Sequence, residues 1–356
     1  LNVTQSEDGI WSYSITGLGN QCHFLRFLEN ASNFTWRKPI EDVTEQEKNE
    51  NAQHLIAKLC ALGYLVVSVK DYSAAKAVIG VDGKQSEIGI SNGRSGKSLL
   101  GELIKRTVVS QYLNGKTIDL NKDQFVWTEL TEKTKVVFID DIRKDFNFEL
   151  LFANVTGSWT INYKSGGRVT LDFSRSPKVY LTTNHSITGD GSSFLDRQWN
   201  IAFSDFYSDT HKPVDDFGVL FFDEWDYEQW NLTWNLIAQC VQLYFKYGVV
   251  ESPSERIELR RLRQDLGEEF ILWADEYFSN EAHLNNAIPR KDMYDNLLKN
   301  VGSSREKFYT PTLFKKKILK YCQFRELFFN PHKLDYRTGN AAKYDKDGRP
   351  DMDDKS

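Results

Sequence analysis

The sequence is short of several residue types, and each shortage narrows what the chain can be. Its 356 residues hold four cysteines, eight prolines, two methionines and six histidines. Cys22, Cys60, Cys240 and Cys322 lie far apart. They form neither paired metal ligands nor the dense framework of a small disulfide-stapled secreted domain, so they read as buried, reduced thiols. No apolar run reaches the roughly 18 residues that a membrane helix needs. The opening LNVTQSEDGI has no initiator Met, no basic segment and no apolar signal core. It therefore reads as part of a longer protein with no membrane partner, located in the cytoplasm, or in a host cell's cytoplasm if viral. Triplets of the N-x-[ST] type, such as Asn154–Thr156, carry no weight without a secretion signal. A basic excess is missing as well. Lys and Arg number 45 against 50 Asp and Glu, a net charge of −5, so the chain as a whole is not an obvious polyanion binder.

What is present is a globular composition, 40% hydrophobic and 27% charged, long enough for two or three domains. The charge is uneven. Residues 286–340 carry 12 Lys/Arg against 5 Asp/Glu, including FKKKILK. Such a stretch is either a nucleic-acid footprint or a solvated helix face.

Residues 1–43 give little local signal. Thr44 opens TEQE, a capping box with Glu47, and Leu55, Leu59 and Leu62 follow at helical spacing. Gly63 stands where a helix would stop. YLVVSV and KAVIGV read as strands. EIGI leads into SNGRSGKSLL at 91–100, and KSLLGELIKRTVVSQYL continues as a helix through Leu100, Leu103 and Ile104. Strand, Gly-rich loop and helix in that order are the setting of a phosphate-binding loop. Gly96, Lys97 and Ser98 fit the end of G-x-x-x-x-G-K-[ST], but Ser91 stands at its opening Gly. The bend then falls to Asn92 or Gly93. Backbone N–H groups over Asn92, Gly93, Arg94, Ser95, Gly96, Lys97, Ser98 and Leu99 would cradle phosphates at a helix N-terminus. Lys97 supplies a cation and Ser98 a hydroxyl for Mg²⁺.

TKVVFIDDI follows, with a continuous apolar run from Val136 to Ile139, as in a strand buried on both faces. It ends in Asp140 and Asp141, where ligands bind in open α/β sheets. Asp140 suits Mg²⁺ and Asp141 an attacking water. KVYLTTN is a third apolar strand, ending at Asn184, whose amide could position the same water. His185 reads as a turn residue or a support behind the site. Between these strands, GSWTINYKSGGRVTLDF alternates on either side of SGG, the pattern of a β-hairpin. Residues 224–248 are aromatic and helical, ESPSER looks like a linker, and two or three helices follow it.

Loop, DD strand, hairpin segment and KVYLTTN occur in order within about 90 residues of Lys97. This set resembles the superfamily 3 helicases, the AAA+ helicases of small DNA viruses, phages and plasmids. The likeness is best over 76 to about 207. FANVTGSWTINYKSGGRVTLDFSRSPKVYLTTN is similar to that family's B′ motif running into motif C, with Asn184 as the motif C Asn. In outline the chain is similar to the helicase half of phage and plasmid primase–helicases. The resemblance implies an α/β fold, an AAA+ P-loop ATPase core with a mainly parallel sheet. It implies an N-terminal helical collar over 1–75, the core over 76–215 and a helical extension and linker over 216–254. A winged-helix-like domain over 255–340 and a disordered tail over 341–356 would complete the chain.

The resemblance also implies ATP and Mg²⁺ as ligands and a homo-oligomeric ring, most often a hexamer. The ring would travel 3′ to 5′ on single-stranded or forked DNA, with a primase or primase-polymerase domain upstream. Arg197 matches the arginine that reaches a neighbour's ATP site. The hairpin tip would hold DNA through Tyr163, Lys164 or Arg168. Which of these does so stays open, because a one-residue register shift swaps faces; Lys164 is the first choice. Two other readings stand beside a helicase: an ATPase that melts or loads at an origin without processive unwinding, and a nucleotide-binding scaffold for a primase.

Overall fold

The computed structural model describes residues 1–83, 95–164, 166–185, 187, 192–253, 262, 266–280, 283, 288–301, 309–325 and 327. The chain divides into two compact units, Leu1–Ile257 and Glu258–Ser356.

The first unit is α/β, built on a five-stranded parallel sheet. Its strands are β3 (Ala77–Asp82), β4 (Ser110–Asn114), β5 (Val136–Ile142), β8 (Lys178–Thr183) and β9 (Gln198–Phe203). They lie in the order β4-β5-β8-β3-β9. Every residue of β3 and β8 is buried, which explains why their stretches 77–81 and 179–181 are apolar without alternation. Alternation survives in which face each residue serves. Val136 and Phe138 join a cluster with the helices on one side, and Val137 and Ile139 join the cluster on the other.

The helical side holds α1 (His23–Asn30), α2 (Glu45–Val66), α3 (Lys97–Thr107) and, late in the chain, α7 (Tyr227–Tyr247). A small hairpin of β1 (Asn2–Gln5) and β2 (Trp11–Ser14) adds Val3 and Trp11 to the same cluster. The opposite side holds α4 (Phe152–Thr156) and the antiparallel hairpin of β6 (Trp159–Asn162) and β7 (Arg168–Leu171), whose Trp159, Ile161 and Leu171 are buried in the second cluster. Two short helices, α5 (Ser192–Asp196) and α6 (Pro213–Phe217), flank β9.

The capping box forms. Glu47 N–H donates to Thr44 Oγ1 at 3.2 Å, and Thr44 N–H to Glu47 Oε2 at 3.1 Å. The end expected for this helix at Gly63 does not. α2 runs on to Val66, and Gly63 lies against the main chain of α7, where a Cβ would come within 2.1 Å of the Cys240 carbonyl oxygen. Packing here overrides glycine's poor helix propensity. Tyr64 and Leu65 are consequently helical and fully buried, so YLVVSV is not a strand. The next helix is shorter than expected. It ends at Thr107, where the β-branched run Thr107-Val108-Val109 disfavours helix, and Ser110–Asn114 forms β4. EIGI lies outside the described residues.

In the second unit the described helices are α8 (Glu268–Ser279), α9 (Arg290–Val301) and α10 (Pro311–Phe324), around Phe270, Trp273, Phe314 and Ile318. The four cysteines are free and buried. Among the described residues no helix is long and apolar enough to cross a membrane.

Candidate functional site

Three neighbouring strands, β3, β8 and β5, each end in a polar group: Asp82, Asn184 and the pair Asp140–Asp141. Parallel strands bring these ends to one edge of the sheet, the position where open α/β sheets bind ligands. β8, last of the three in sequence, lies between the other two in the sheet, so Asn184 stands between the ends of β3 and β5.

Asn92, Gly93 and Arg94 lie outside the described residues. From Ser95 onward the loop runs directly into α3. Gly96 caps this helix at φ 95°, a left-handed conformation natural to glycine. A Cβ there would also meet the Phe27 ring at 2.5 Å. Lys97 opens the helix, so the first-turn N–H groups and the positive end of its dipole face the site.

Lys97 is buried, and its ammonium donates to Asp82 Oδ1, to Ser95 Oγ at 3.1 Å and to Asn184 Oδ1 at 3.0 Å. Ser95 Oγ also donates to Asp82. Below the loop, the buried Tyr180 hydroxyl donates to the Lys97 carbonyl at 2.8 Å. Burial, and then the nearby Asp140 charge, push this phenol well above its ordinary pKa.

Ser98 Oγ donates to Asp140 Oδ1 at 2.8 Å. Asn184 Nδ2 donates to Asp141 Oδ1 at 3.2 Å, and Lys116 Nζ pairs with Asp141 Oδ2 at 2.6 Å. The hydrogen bond and charge of Asp141 raise the Lys116 pKa. His185 turns the chain at the end of β8, its N–H donating to Thr183 Oγ1 at 2.9 Å.

Ser95, Lys97, Ser98, Lys116, Asp140, Asp141 and Asn184 line a cavity of about 610 Å³, within the range of small-molecule sites. Leu99, Pro213, Val214, Leu220 and Phe221 line it as well, with Lys212 beside them. The cavity thus offers charged and polar groups together with an apolar wall.

Ser95, Gly96, Lys97, Ser98, Leu99, Asp140, Asp141 and Asn184 are thereby brought together. Arg197 is not among them. Its carbonyl accepts from Ala77 N–H at 2.8 Å, beside the first residue of β3, whereas Asp82 is the last. The strand between spans roughly 16 Å. The Arg197 guanidinium donates to the Ser193 carbonyl at 2.7 Å and stacks 4.8 Å from the Phe152 ring centroid.

The hairpin turn is likewise built from other elements. Asn162 pairs with Arg168 across it, and Gly166 and Gly167 take φ 80° and 118°. Lys164 and Arg168 are exposed, while Tyr163 packs partly against the Trp159 cluster.

Asp82, Lys116, Thr182 and the wall over Lys212–Phe221 are site residues that the sequence motifs do not mark. Asp82 had a signal available: it ends an apolar strand just as Asp140 and Asn184 do. The wall had none, since it comes from α6 and the residues after it, more than 100 residues beyond Lys97.

Among the described residues no group of three His, Cys, Asp or Glu side chains is placed to hold a metal ion. The oxygens of Ser98 and Asp140 are nonetheless hard donors side by side. Such a pair suits Mg²⁺ carried in with substrate phosphates and water, rather than held in an all-protein cage.

No protein-family model matches the chain, and no curated protein does. Solved structures similar to it include the A-form apo structure of the NrS-1 C-terminal region, at 13% identity and TM-score 0.40, covering 92% of this chain and 74% of that one. A JCV helicase crystal structure is similar at 14% identity and TM-score 0.31, covering 71% of this chain and 64% of the other.

Proposed function

We propose that the first unit is an ATPase that works in a ring, as a DNA helicase of the superfamily 3 type. The observation that supports the reading is the convergence of Lys97, Ser98, Asp140, Asp141 and Asn184 on one cavity, from two adjacent strand ends and one helix N-terminus.

Each residue has a task that follows from its contacts. Lys97, at the mouth of α3, exchanges one of its acceptors for the β/γ-phosphates. The first-turn amides of α3 bind the same anion. Ser98 and Asp140 present adjacent oxygens to Mg²⁺, which when bound neutralises phosphate charge. Asp141, held by Asn184, orients a water and takes its proton. Asn184 links Lys97 to Asp141 and so couples phosphate binding to the placement of that water. Leu99, Pro213, Val214, Leu220 and Phe221 give the nucleobase an apolar wall on which to pack. Arg197, a strand's length from its own Lys97, serves the ATP of a neighbouring subunit. Lys164 and Arg168, exposed at the hairpin, neutralise DNA phosphates.

The test is ATP turnover with and without single-stranded DNA, together with mass determination in ATP. Turnover stimulated by DNA, an oligomer in ATP and displacement of a strand from a forked substrate are the expected results. Asp141→Asn should bind nucleotide and lose turnover at least about 100-fold, the usual scale of general-base catalysis. Native turnover in that variant would remove the carboxylate assignment. Hydrolysis without strand displacement would leave an ATPase that is not a helicase.

A further inference from the structure

Asp140 and Asp141 are neighbours in sequence, and on a regular strand neighbours point to opposite faces. The β5–β8 register shows how both come to serve one site. Ile139 pairs with Leu181 and Ile142 with Thr183, so two aspartates stand opposite a single residue, Thr182. This is a β-bulge, a feature that re-aims side chains beside active sites. Within it Asp141 adopts φ 57°, uncommon for a residue with a side chain.

Thr182 is buried, and its side chain touches both halves of the bulge. Asp141 N–H donates to Thr182 Oγ1 at 2.7 Å. Thr182 Oγ1 in turn donates to Asp140 Oδ1 at 2.6 Å. A hydroxyl has one proton to give. Here it goes to the carboxylate, because the Asp141 amide is itself a donor. One oxygen therefore fixes the backbone of one aspartate and the side chain of the other.

We propose that Thr182 is a positioning residue that holds the bulge and orients the Asp140 carboxylate, and so sets the affinity of the site for its divalent cation. The proposal rests on the reading of Asp140 as a Mg²⁺ ligand. The Thr182 hydroxyl spends its one proton on Asp140 and accepts from the Asp141 amide. It acts through Asp140, as outer groups do when they orient a metal-binding carboxylate.

The test uses the full chain and a fluorescent ATP analogue, with binding followed in EDTA and across a Mg²⁺ titration. Thr182→Val removes the hydroxyl and keeps the shape; Thr182→Ala covers the case that Val crowds the bulge. Either should need about tenfold or more Mg²⁺ for half-saturation, the usual scale for such outer-group changes, with affinity in EDTA unchanged. Thr182→Ser, which restores the donor, should return the Mg²⁺ requirement toward the parent's. The proposal is overturned by an unchanged Mg²⁺ requirement in both deletion variants, by an equal loss of binding in EDTA, or by a Ser variant as impaired as the Val one. A parent protein with no Mg²⁺-dependent nucleotide binding would sink the ATPase reading and this proposal with it. A parent that binds, with deletion variants that match it, sinks Thr182 alone.

Discussion

Lys97 and Asp82, fifteen residues apart, form an ion pair with both side chains buried, 7% and 8% exposed. Ser95 and Asn184 accept from the same ammonium. On the proposed reading a phosphate oxygen competes with these acceptors for Lys97, and Asp82 presents a negative charge to the same ammonium. Asp82→Asn keeps the shape and removes that charge. It is predicted to bind an ATP analogue more tightly, on the order of tenfold, which corresponds to about 1.4 kcal/mol. Fluorescence titration reads the change. Equal or weaker binding would mean that Asp82 aims Lys97 at the phosphates rather than competing with them for it.

Lys164 and Arg168 project from the hairpin, on the far side of β6 and β7 from the Trp159 cluster or at the turn itself, and neither lines the cavity. Changing both to Ala should leave basal ATP turnover unchanged, weaken single-stranded DNA binding and abolish unwinding. The dependence of binding on salt should also flatten, because fewer counterions are released. A matching loss of basal turnover would point instead to a structural link between hairpin and ATP site.

Gly63 tests the packing that joins α2 to α7. Alanine is the better helix former by about 1 kcal/mol. Against this, its Cβ would lie 2.1 Å from the Cys240 carbonyl oxygen and 2.5 Å from its carbon. These are backbone atoms, which cannot rotate aside, so the helices must separate. Overpacking of this kind costs about 1–3 kcal/mol and sometimes more, and the clash should outweigh the propensity gain. Equilibrium urea unfolding of Gly63→Ala should show a lower midpoint. A variant as stable as its parent would contradict the close helix contact.

How far the site could be read beforehand depends on whether the signal is local. β3, β5 and β8 are legible because strands buried on both faces become unbroken apolar runs. The hairpin is legible from its SGG turn, and the start of α2 from Thr44 and Glu47. Gly63 misleads because its purpose lies in a helix nearly 180 residues later, and β4 is hidden because Val108 and Val109 can extend a helical pattern. The pair Asp140–Asp141 shows the limit most clearly. Its residue types announce a site, but the bulge that turns both carboxylates to use depends on the partner strand. Nothing in TKVVFIDDI reveals that Thr182 stands opposite two residues.

Arg197 tests whether the ATP site is shared between subunits. Its main chain is hydrogen-bonded to Ala77, at the opposite end of β3 from Asp82 and the Lys97 ammonium. Across roughly 16 Å of strand the guanidinium cannot serve the phosphates of its own subunit. If it acts in hydrolysis, it acts on a neighbour's ATP. Arg197→Ala is therefore predicted to bind ATP normally and to hydrolyse it about 10³-fold more slowly or worse, the scale of a trans arginine elsewhere. Lys97→Ala should fail at its own nucleotide while keeping its Arg197. Mixing the two variants should then restore some turnover. In a mixed ring some interfaces pair an intact phosphate loop from the Arg197 variant with an intact Arg197 from the Lys97 variant, and neither variant alone contains such an interface. Exchange of subunits must first be shown with labelled chains. Demonstrated exchange with no recovered turnover would mean that hydrolysis needs every interface intact, or that Arg197 only holds Ser193 and Phe152 in place. The second case is separable, because loss of those contacts would lower the stability of Arg197→Ala in urea. A chain that hydrolyses ATP while remaining monomeric would end the shared-site reading outright.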